Sequence, residues 1–375
     1  MDLLESIIII CGWLAGTLLL WRIPVCRRKR GSALPLNSIS IIIPARDEEK
    51  NIGTLLKSIQ NQTLRPREVL VIDDNSTDNT QTEALTAGAQ VYSSGPHPHG
   101  WLGKSWACWQ GAHRASGTVL LFLDADCMLE PDGLEKIYST WMEKGGLVTV
   151  EPWHKTERAY EQFSSFFNLI VYAGMNAFTP LQSSIRPAGS FGPCVICSRE
   201  SYFRAGGHRA VRGKILEDMA IANTFIRSRL PVYCLSGKGA INFRMYPQGF
   251  HQLLEGWTKS MATGAADTNT FVRIIITLWI SAGLLAAGLL IRVPGADRLQ
   301  VFAGGCSYAA FVAQMWWMLR RVGNFSFFTA LLYPIQIFFF TIIFIRSFVL
   351  SNILHKLTWK GREIQTQSPQ SREKT

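Results

Sequence analysis

The sequence has no second pair of closely spaced cysteines to set beside Cys194 and Cys197. A four-ligand structural zinc site is therefore disfavoured, and the eight cysteines read as reduced thiols, with metal binding by that one pair the alternative. No Gly-x-Gly-x-x-Gly follows the first apolar strand and no Gly-x-x-x-x-Gly-Lys-Ser/Thr occurs anywhere, which disfavours dinucleotide redox chemistry and P-loop chemistry. No small-residue cleavage site follows the N-terminal basic cluster, whose charges lie behind the apolar run instead of ahead of it, so a removable signal peptide fits poorly. The 375 residues are 47% hydrophobic, which excludes disorder, collagen and a small disulfide scaffold.

The formal charge of +11 suggests nucleic acid until the charge is located. Its densest cluster, Arg27, Arg28, Lys29 and Arg30, directly follows the apolar run Ser6 to Trp21, which is the place of a membrane flank, and no nucleic-acid partner is expected. Three further apolar stretches, Ile274 to Ile291, Leu299 to Leu319 and Phe327 to Ile345, approach the roughly 20 residues that a bilayer helix needs. The organisation expected is an N-terminal membrane anchor (1–26), a cytoplasmic working domain (38–263), a C-terminal membrane region (271–350) and a basic polar tail (351–375), together a multi-pass protein of the cell membrane. If all three late stretches span, the tail with Lys356, Lys360, Arg362 and Lys374 finishes outside, against the charge rule. Pro334, inside the last stretch, removes a backbone donor and points instead to a broken, re-entrant pair that returns the tail to the cytoplasm.

Between anchor and tail the pattern alternates strand and helix. Ile39 to Ile43 reads as a strand, and Ile52, Leu55, Leu56 and Ile59 recur at helical spacing. Glu68 to Ile72 and Val119 to Leu123 read as further strands, with helices over Asp78 to Ala87, Gly103 to Ser116 and Pro131 to Lys144. This implies an α/β fold, a mostly parallel sheet with helices on both faces, whose ligands bind at the carboxyl ends of the strands. Pro44, Arg46 and Glu48 follow the first strand, Asp73 and Asp74 end the second, and Asp124 and Asp126 end the third. Any one of these acids could be a cap or turn residue, as Asp78 could, but three strands delivering acids to one edge point to a shared site. Clustered carboxylates need a cation among them, so Asp124-Ala125-Asp126 suits a hard divalent ion completed by substrate phosphates.

The segments Ser40-Ile-Ile-Ile-Pro-Ala-Arg-Asp-Glu-Glu49, Val71-Ile-Asp-Asp-Asn-Ser-Thr-Asp78 and Leu123-Asp-Ala-Asp126 resemble, in order and spacing, family 2 glycosyltransferases of the GT-A fold. Gly103-Lys-Ser-Trp-Ala-Cys, Phe191-Gly-Pro, Gly206-Gly-His, Phe243-Arg-Met-Tyr, Glu255-Gly-Trp-Thr-Lys259 and Trp359-Lys-Gly-Arg362 extend the likeness, nearly end to end, to membrane-bound members that glycosylate carotenoid acids. The resemblance implies that Pro44, Arg46, Glu48, Asp73 or Asp74, Lys104 and Asp124 hold a nucleotide sugar, and that Asp124 and Asp126 hold Mn2+ or Mg2+. It further implies that Glu217-Asp218 is the acidic motif of inverting members, with Asp218 the usual base and a helix cap the alternative.

Processive members carry Gln-x-x-Arg-Trp, whereas here Gln252 and Trp257 are five apart with no arginine between them, which favours a single transfer. Phe250, Leu253, Leu254, Trp257 and Met261 give a helix near 250–262 one apolar face, for the membrane interface beside an acceptor or for the core. His154 and His208 are further candidates for contact with metal or diphosphate, against a structural role for each. The function implied is transfer of glucose from UDP-glucose to a C30 carotenoid carboxylate. The alternatives are another lipid acceptor, through a hydroxyl or a polyprenyl phosphate, and a non-catalytic nucleotide-sugar-binding membrane scaffold.

Overall fold

The computed structural model describes residues 2–28, 38–182, 185–214, 217–267, 269–291, 297–352, 357–359 and 362–364. Lys29 and Arg30 of the basic cluster, and Lys356, Lys360 and Lys374 of the tail, lie outside them. After helix α1 (Leu3–Leu19) the chain alternates β1 (Ile39–Ala45), α2 (Ile52–Gln60), β2 (Glu68–Asp73), α3 (Thr80–Thr86), β3 (Gln90–Ser93), α4 (Gly103–Arg114) and β4 (Val119–Leu123). β1 and β4 are nearly unbroken apolar runs because helices cover both of their faces. β1 lies between β2 and β4 and is parallel to both, and α2 packs through Ile52, Leu55, Leu56 and Ile59.

There follow β5 (Cys127–Leu129), α5 (Gly133–Lys144), β6 (Leu147–Glu151), β7 (Trp153–His154), α6 (Ser165–Gly174), β8 (Cys194–Ser198), α7 (Arg199–Arg204), α8 (Glu217–Arg227), β9 (Val232–Ser236) and β10 (Ile241–Phe243). The seven-stranded sheet has the order β3-β2-β1-β4-β8-β6-β9, and only β8 runs antiparallel to its neighbours. Cys194 and Cys197 both lie on β8, three residues apart, and so point to opposite faces. Cys194 enters one core with Ile41 and Leu121, and Cys197 enters the other with Ile42 and Leu120, so the pair cannot share a metal.

The C-terminal part comprises α9 (Phe250–Asp267), α10 (Thr270–Ile291), α11 (Arg298–Val322), α12 (Phe327–Leu331) and α13 (Tyr333–Asn352), then a short antiparallel hairpin of β11 (Leu357–Trp359) and β12 (Arg362–Ile364). Among the described residues two helical stretches, Thr270–Ile291 and Tyr333–Ser351, are long and apolar enough to cross a membrane, while α1 is shorter. Large apolar side chains are nonetheless exposed in a belt over α1, α10, α11, α12 and α13, including Ile10, Leu14, Ile274, Phe302, Phe328 and Phe338. Water would penalise so continuous a surface, whereas acyl chains would not.

Inside the bundle, Gly12 and Gly16 of α1 face α10, where an added Cβ would overlap Ala282 and Trp279 respectively. Small residues four apart let the two backbones approach closely. Gln314 of α11 joins the same seam: its amide donates to Trp13 O (2.6 Å) and Thr17 Oγ1 (2.8 Å) and accepts from Trp279 Nε1 (2.9 Å). The bundle and the sheet domain are also tied together. Phe166, Phe167 and Leu169 of α6 belong to the bundle's core, Ser236 Oγ of β9 donates to Arg321 O (3.2 Å), and Asn324 accepts from Thr156 N (2.6 Å).

The last apolar stretch is broken, as expected, into α12 and α13, but the break lies at Leu332, and Pro334 occupies the first turn of α13, where its missing N–H is harmless. On α9, Leu253, Trp257 and Met261 are buried while Phe250 stays exposed, and Trp257 stacks on Phe167 and donates to Ser164 Oγ (3.0 Å), which corrects its reading as an acceptor contact. Trp257 is thus a packing residue.

The α1–α10 seam makes one prediction. Gly16→Ala should destabilise the detergent-solubilised protein by about 1–3 kcal/mol through overpacking against Trp279. Gly288→Ala, in open space on α10, should be neutral or stabilising by up to about 1 kcal/mol. Paired thermal unfolding curves check both.

Candidate active site

The carboxyl ends of parallel strands share one edge, and four buried runs deliver acids to it: β1 through Glu48, β2 through Asp73 and Asp74, β4 through Asp124 and Asp126, and β6 through Glu151. α8 brings Glu217 and Asp218 to the same edge from its first turn.

On the β1–β2 side, Arg46 Nη1 lies 3.5 Å from Asp74 Oδ2 and 3.3 Å from its carbonyl oxygen. His97 pairs with the other Asp74 oxygen, to which Ser94 Oγ also donates at 3.2 Å. Gly103 passes so close over this carboxylate that a Cβ would overlap it. Asp73 accepts from Ser76 N through Oδ2 (3.3 Å), and its Oδ1 is buried with no partner. Asp78, by contrast, accepts from Thr80 N (3.0 Å) and Glu49 N (3.1 Å) and holds the loop, so it is a turn acid.

The centre is organised by Lys104, in the first turn of α4. Its Nζ lies 2.9 and 3.0 Å from the two oxygens of Asp124, 3.3 Å from Asp218 Oδ2 and 3.8 Å from Glu217 Oε1. Asp218 fits here because residue 192 is glycine, where a Cβ would overlap its carboxylate, and because Ser190 Oγ donates to its backbone carbonyl. Pro44, Phe122 and His208 line the same cleft.

One ammonium does not neutralise this many acids. Burial, then Asp124 and Glu48, push Asp126 up to about 7, although the residue is exposed and solvent screens much of that effect. Glu151 is 8% exposed, and burial followed by Asp124, Asp218 and Asp126 raises it to about 8. Glu217 is raised to about 8 by burial and Asp218, with Lys104 opposing, and Asp124 is raised chiefly by burial, also against Lys104. Lys104 keeps 32% of its side chain open, so solvent is not shut out of the cluster.

The remaining candidates separate. His208 reaches the cleft as a neutral ring: Nδ1 lies 2.8 Å from Tyr202 OH, and burial and Lys104 lower its pKa to about 3. His154 is enclosed by Phe243 and Phe325 and bonded to Asn168 (3.1 Å), with its pKa lowered to about 4 by burial; the carboxylate cluster is not among its neighbours. Gln252 accepts from Gln248 N (3.0 Å) in the first turn of α9, where it has a local capping role. Glu151 is absent from the motif-based set. Its signal is the one that marks Asp73 and Asp124, an acid ending a buried apolar run, here Leu-Val-Thr-Val.

Among the described residues no three His, Cys, Asp or Glu side chains converge to hold a metal by themselves. Asp124 and Asp126 offer oxygen ligands only, beside uncompensated negative charge, and this donor set fits a hard divalent ion that takes its other ligands from phosphate and water.

The family model described as Glycosyl transferase family 2 matches residues 40–205. The chain is 37% identical over 346 residues to the 4,4'-diaponeurosporenoate glycosyltransferase of Staphylococcus aureus strain USA300, covering 90% of this chain and 92% of that protein. For strain N315 the identity is 37% over 331 residues, covering 87% and 88%. Among solved structures, the mannosyltransferase PcManGT of Pyrobaculum calidifontis, in complex with GDP-Man and Mn2+, superposes with a TM-score of 0.50 at 17% identity, covering 89% of this chain and 99% of that one. The architecture is that of the GT-A fold.

The raised acids set the pH dependence of stability. Glu151 binds its proton more tightly folded than unfolded, so between its ordinary value of 4.5 and about 8 the folded protein holds more protons than the unfolded chain. Stability of the metal-free protein should therefore fall as pH rises across that window, and Glu151→Gln should flatten the fall. Thermal unfolding of both proteins across the window is the check.

Proposed function

The chain belongs to glycosyl transferase family 2, and on that premise we propose that it moves one glucosyl unit from UDP-glucose to the carboxylate of a C30 carotenoid acid, 4,4'-diaponeurosporenoate, giving a glycosyl ester with inversion. The observation that carries this reading is the meeting of Asp124 and Asp218, 94 positions apart in sequence, on the ammonium of Lys104. The acceptor follows from the name of relatives that match nearly the whole chain, and glucose from the family resemblance.

In this mechanism Asp73, Asp74 and Arg46 bind the nucleoside end of the donor, Pro44 and Glu48 flank it, and Lys104 faces the diphosphate. A divalent ion at Asp124 and Asp126, Mn2+ or Mg2+, would offset charge on the departing diphosphate. An acceptor oxygen bonds to the anomeric carbon as the bond from that carbon to the diphosphate breaks, and the electron pair leaves with UDP. A carboxylic acid, with a pKa of about 4, arrives already ionised, so no proton need be removed. Asp218 then orients the acceptor, whereas a hydroxyl acceptor would require Asp218 as base. The apolar belt, with α10 and α13 long enough to span, supports a multi-pass protein that draws its acceptor from the membrane, and Arg27 and Arg28 support a cytoplasmic working domain. The lack of an arginine between Gln252 and Trp257 supports a single transfer.

With purified protein, UDP-glucose and the carotenoid acid in lipid vesicles, chelation of divalent ions and Asp126→Asn should each lower transfer by at least about a hundredfold. Transfer indifferent to both would defeat the metal-assisted reading. Asp218→Asn should lower transfer to an alcohol acceptor by about 10²–10⁴-fold, the range of general-base catalysis, and transfer to the acid far less. Equal losses for the two acceptors would argue against the carboxylate as the natural nucleophile.

A further inference from the structure

Lys104 does more in this geometry than face a phosphate. Its ammonium holds both oxygens of Asp124, at 2.9 and 3.0 Å, while also touching Asp218 at 3.3 Å. Asp124 is one of the two carboxylates read as ligands of a divalent ion, and the two cations cannot share the same lone pairs at close range without strong repulsion. We propose that Lys104 is an internal competitor of the divalent ion for Asp124, and that the donor's diphosphate, by drawing the ammonium away, releases Asp124 to the metal and Asp218 to the acceptor in the same movement.

This rests on the reading of Asp124 and Asp126 as metal ligands. The surroundings favour such an exchange. Lys104 is in the first turn of α4, with 32% of its side chain open to the cleft, so it can swing without unfolding the helix. Its departure alone would leave Asp124, Asp218 and Glu217 facing one another unshielded, so it leaves only when both a second cation and a new anion arrive. Metal and nucleotide should consequently bind each other's complex better than they bind the free protein, by one and the same factor. The order of events is fixed too: Asp218 remains tied to the ammonium until the donor is in place, so the acceptor meets a competent site only in the loaded enzyme.

The test is Mn2+ binding to the full-length protein in detergent, read from the spin-resonance signal of free Mn2+, without nucleotide and with UDP. Lys104→Met should bind Mn2+ alone about tenfold more tightly than the parent, and the enhancement of Mn2+ affinity by UDP should shrink by a like factor. Lys104→Arg, which keeps the cation, should bind Mn2+ alone as the parent does. Lys104→Gln is run beside Lys104→Met, and Mn2+ should raise the melting temperature of both more than that of the parent. Unchanged Mn2+ affinity in folded Lys104→Met and Lys104→Gln, alongside UDP-enhanced binding in the parent, would overturn the exchange and leave the metal reading standing. Absence of Mn2+ binding in every protein, with UDP present, would overturn the metal reading itself and the exchange with it.

Discussion

One ammonium among several carboxylates is the constraint around which the sheet domain is built. β2 and β6 end in an acid and β1 and β4 are followed closely by acids, and the fold keeps these together although their mutual repulsion at short range is worth about 4 kcal/mol per pair near a protein surface. The offsetting devices are visible: Lys104 against Asp124, Asp218 and Glu217, and Arg46 and His97 against Asp74. Burial first, and then neighbouring carboxylates, still raise Asp126, Glu151 and Glu217 against these cations. A stable scaffold with no ligand to receive would have little reason to retain such an arrangement, and perturbed acids in a cleft are the mark of a working site.

The glycines around the cluster follow from the same constraint. Gly103 and Gly192 stand against the carboxylates of Asp74 and Asp218, and a methyl group at either would displace the acid it faces. At the other end of the molecule Gly12 and Gly16 play the same geometric part for a different purpose, closing α1 onto α10. Between the two regions, α6 and the end of α11 make the bundle and the sheet domain share contacts, so the edge that carries the acids is held in a fixed relation to the apolar belt.

Much of this was legible in the sequence because it was written locally. Apolar runs ending in acids gave β1, β2 and β4 and their site residues, and three-four spacing gave α2. What escaped was what depends on partners distant along the chain. β8 has a strand's composition, but its antiparallel insertion between β4 and β6 is a matter of topology, and it alone decides that Cys194 and Cys197 diverge. The apolar stripe with Trp257 was visible, yet its orientation toward Phe167 and Ser164 was not, since lipid and core ask for the same residues. Glu151 had the same local signal as its partners but no motif to draw attention to it. Pro334 signalled that the last stretch is broken, but the break itself, at Leu332, puts the proline where a helix tolerates it.

An acidic cluster is an unfavourable place to bring an anion, and the proposed acceptor is one. An approaching carboxylate would be opposed by each ionised neighbour, and the single Lys104 is already engaged. Burial, the first cause that raises Glu151 and Glu217, shifts this balance in the metal-free protein, because a protonated carboxyl carries no charge and can donate a hydrogen bond to an incoming oxygen. An alcohol acceptor would gain less from these protons, since it brings no charge to be accommodated and asks instead for an ionised base. The burial that leaves the cluster electrostatically incomplete thus also lessens the repulsion that an acid acceptor would meet.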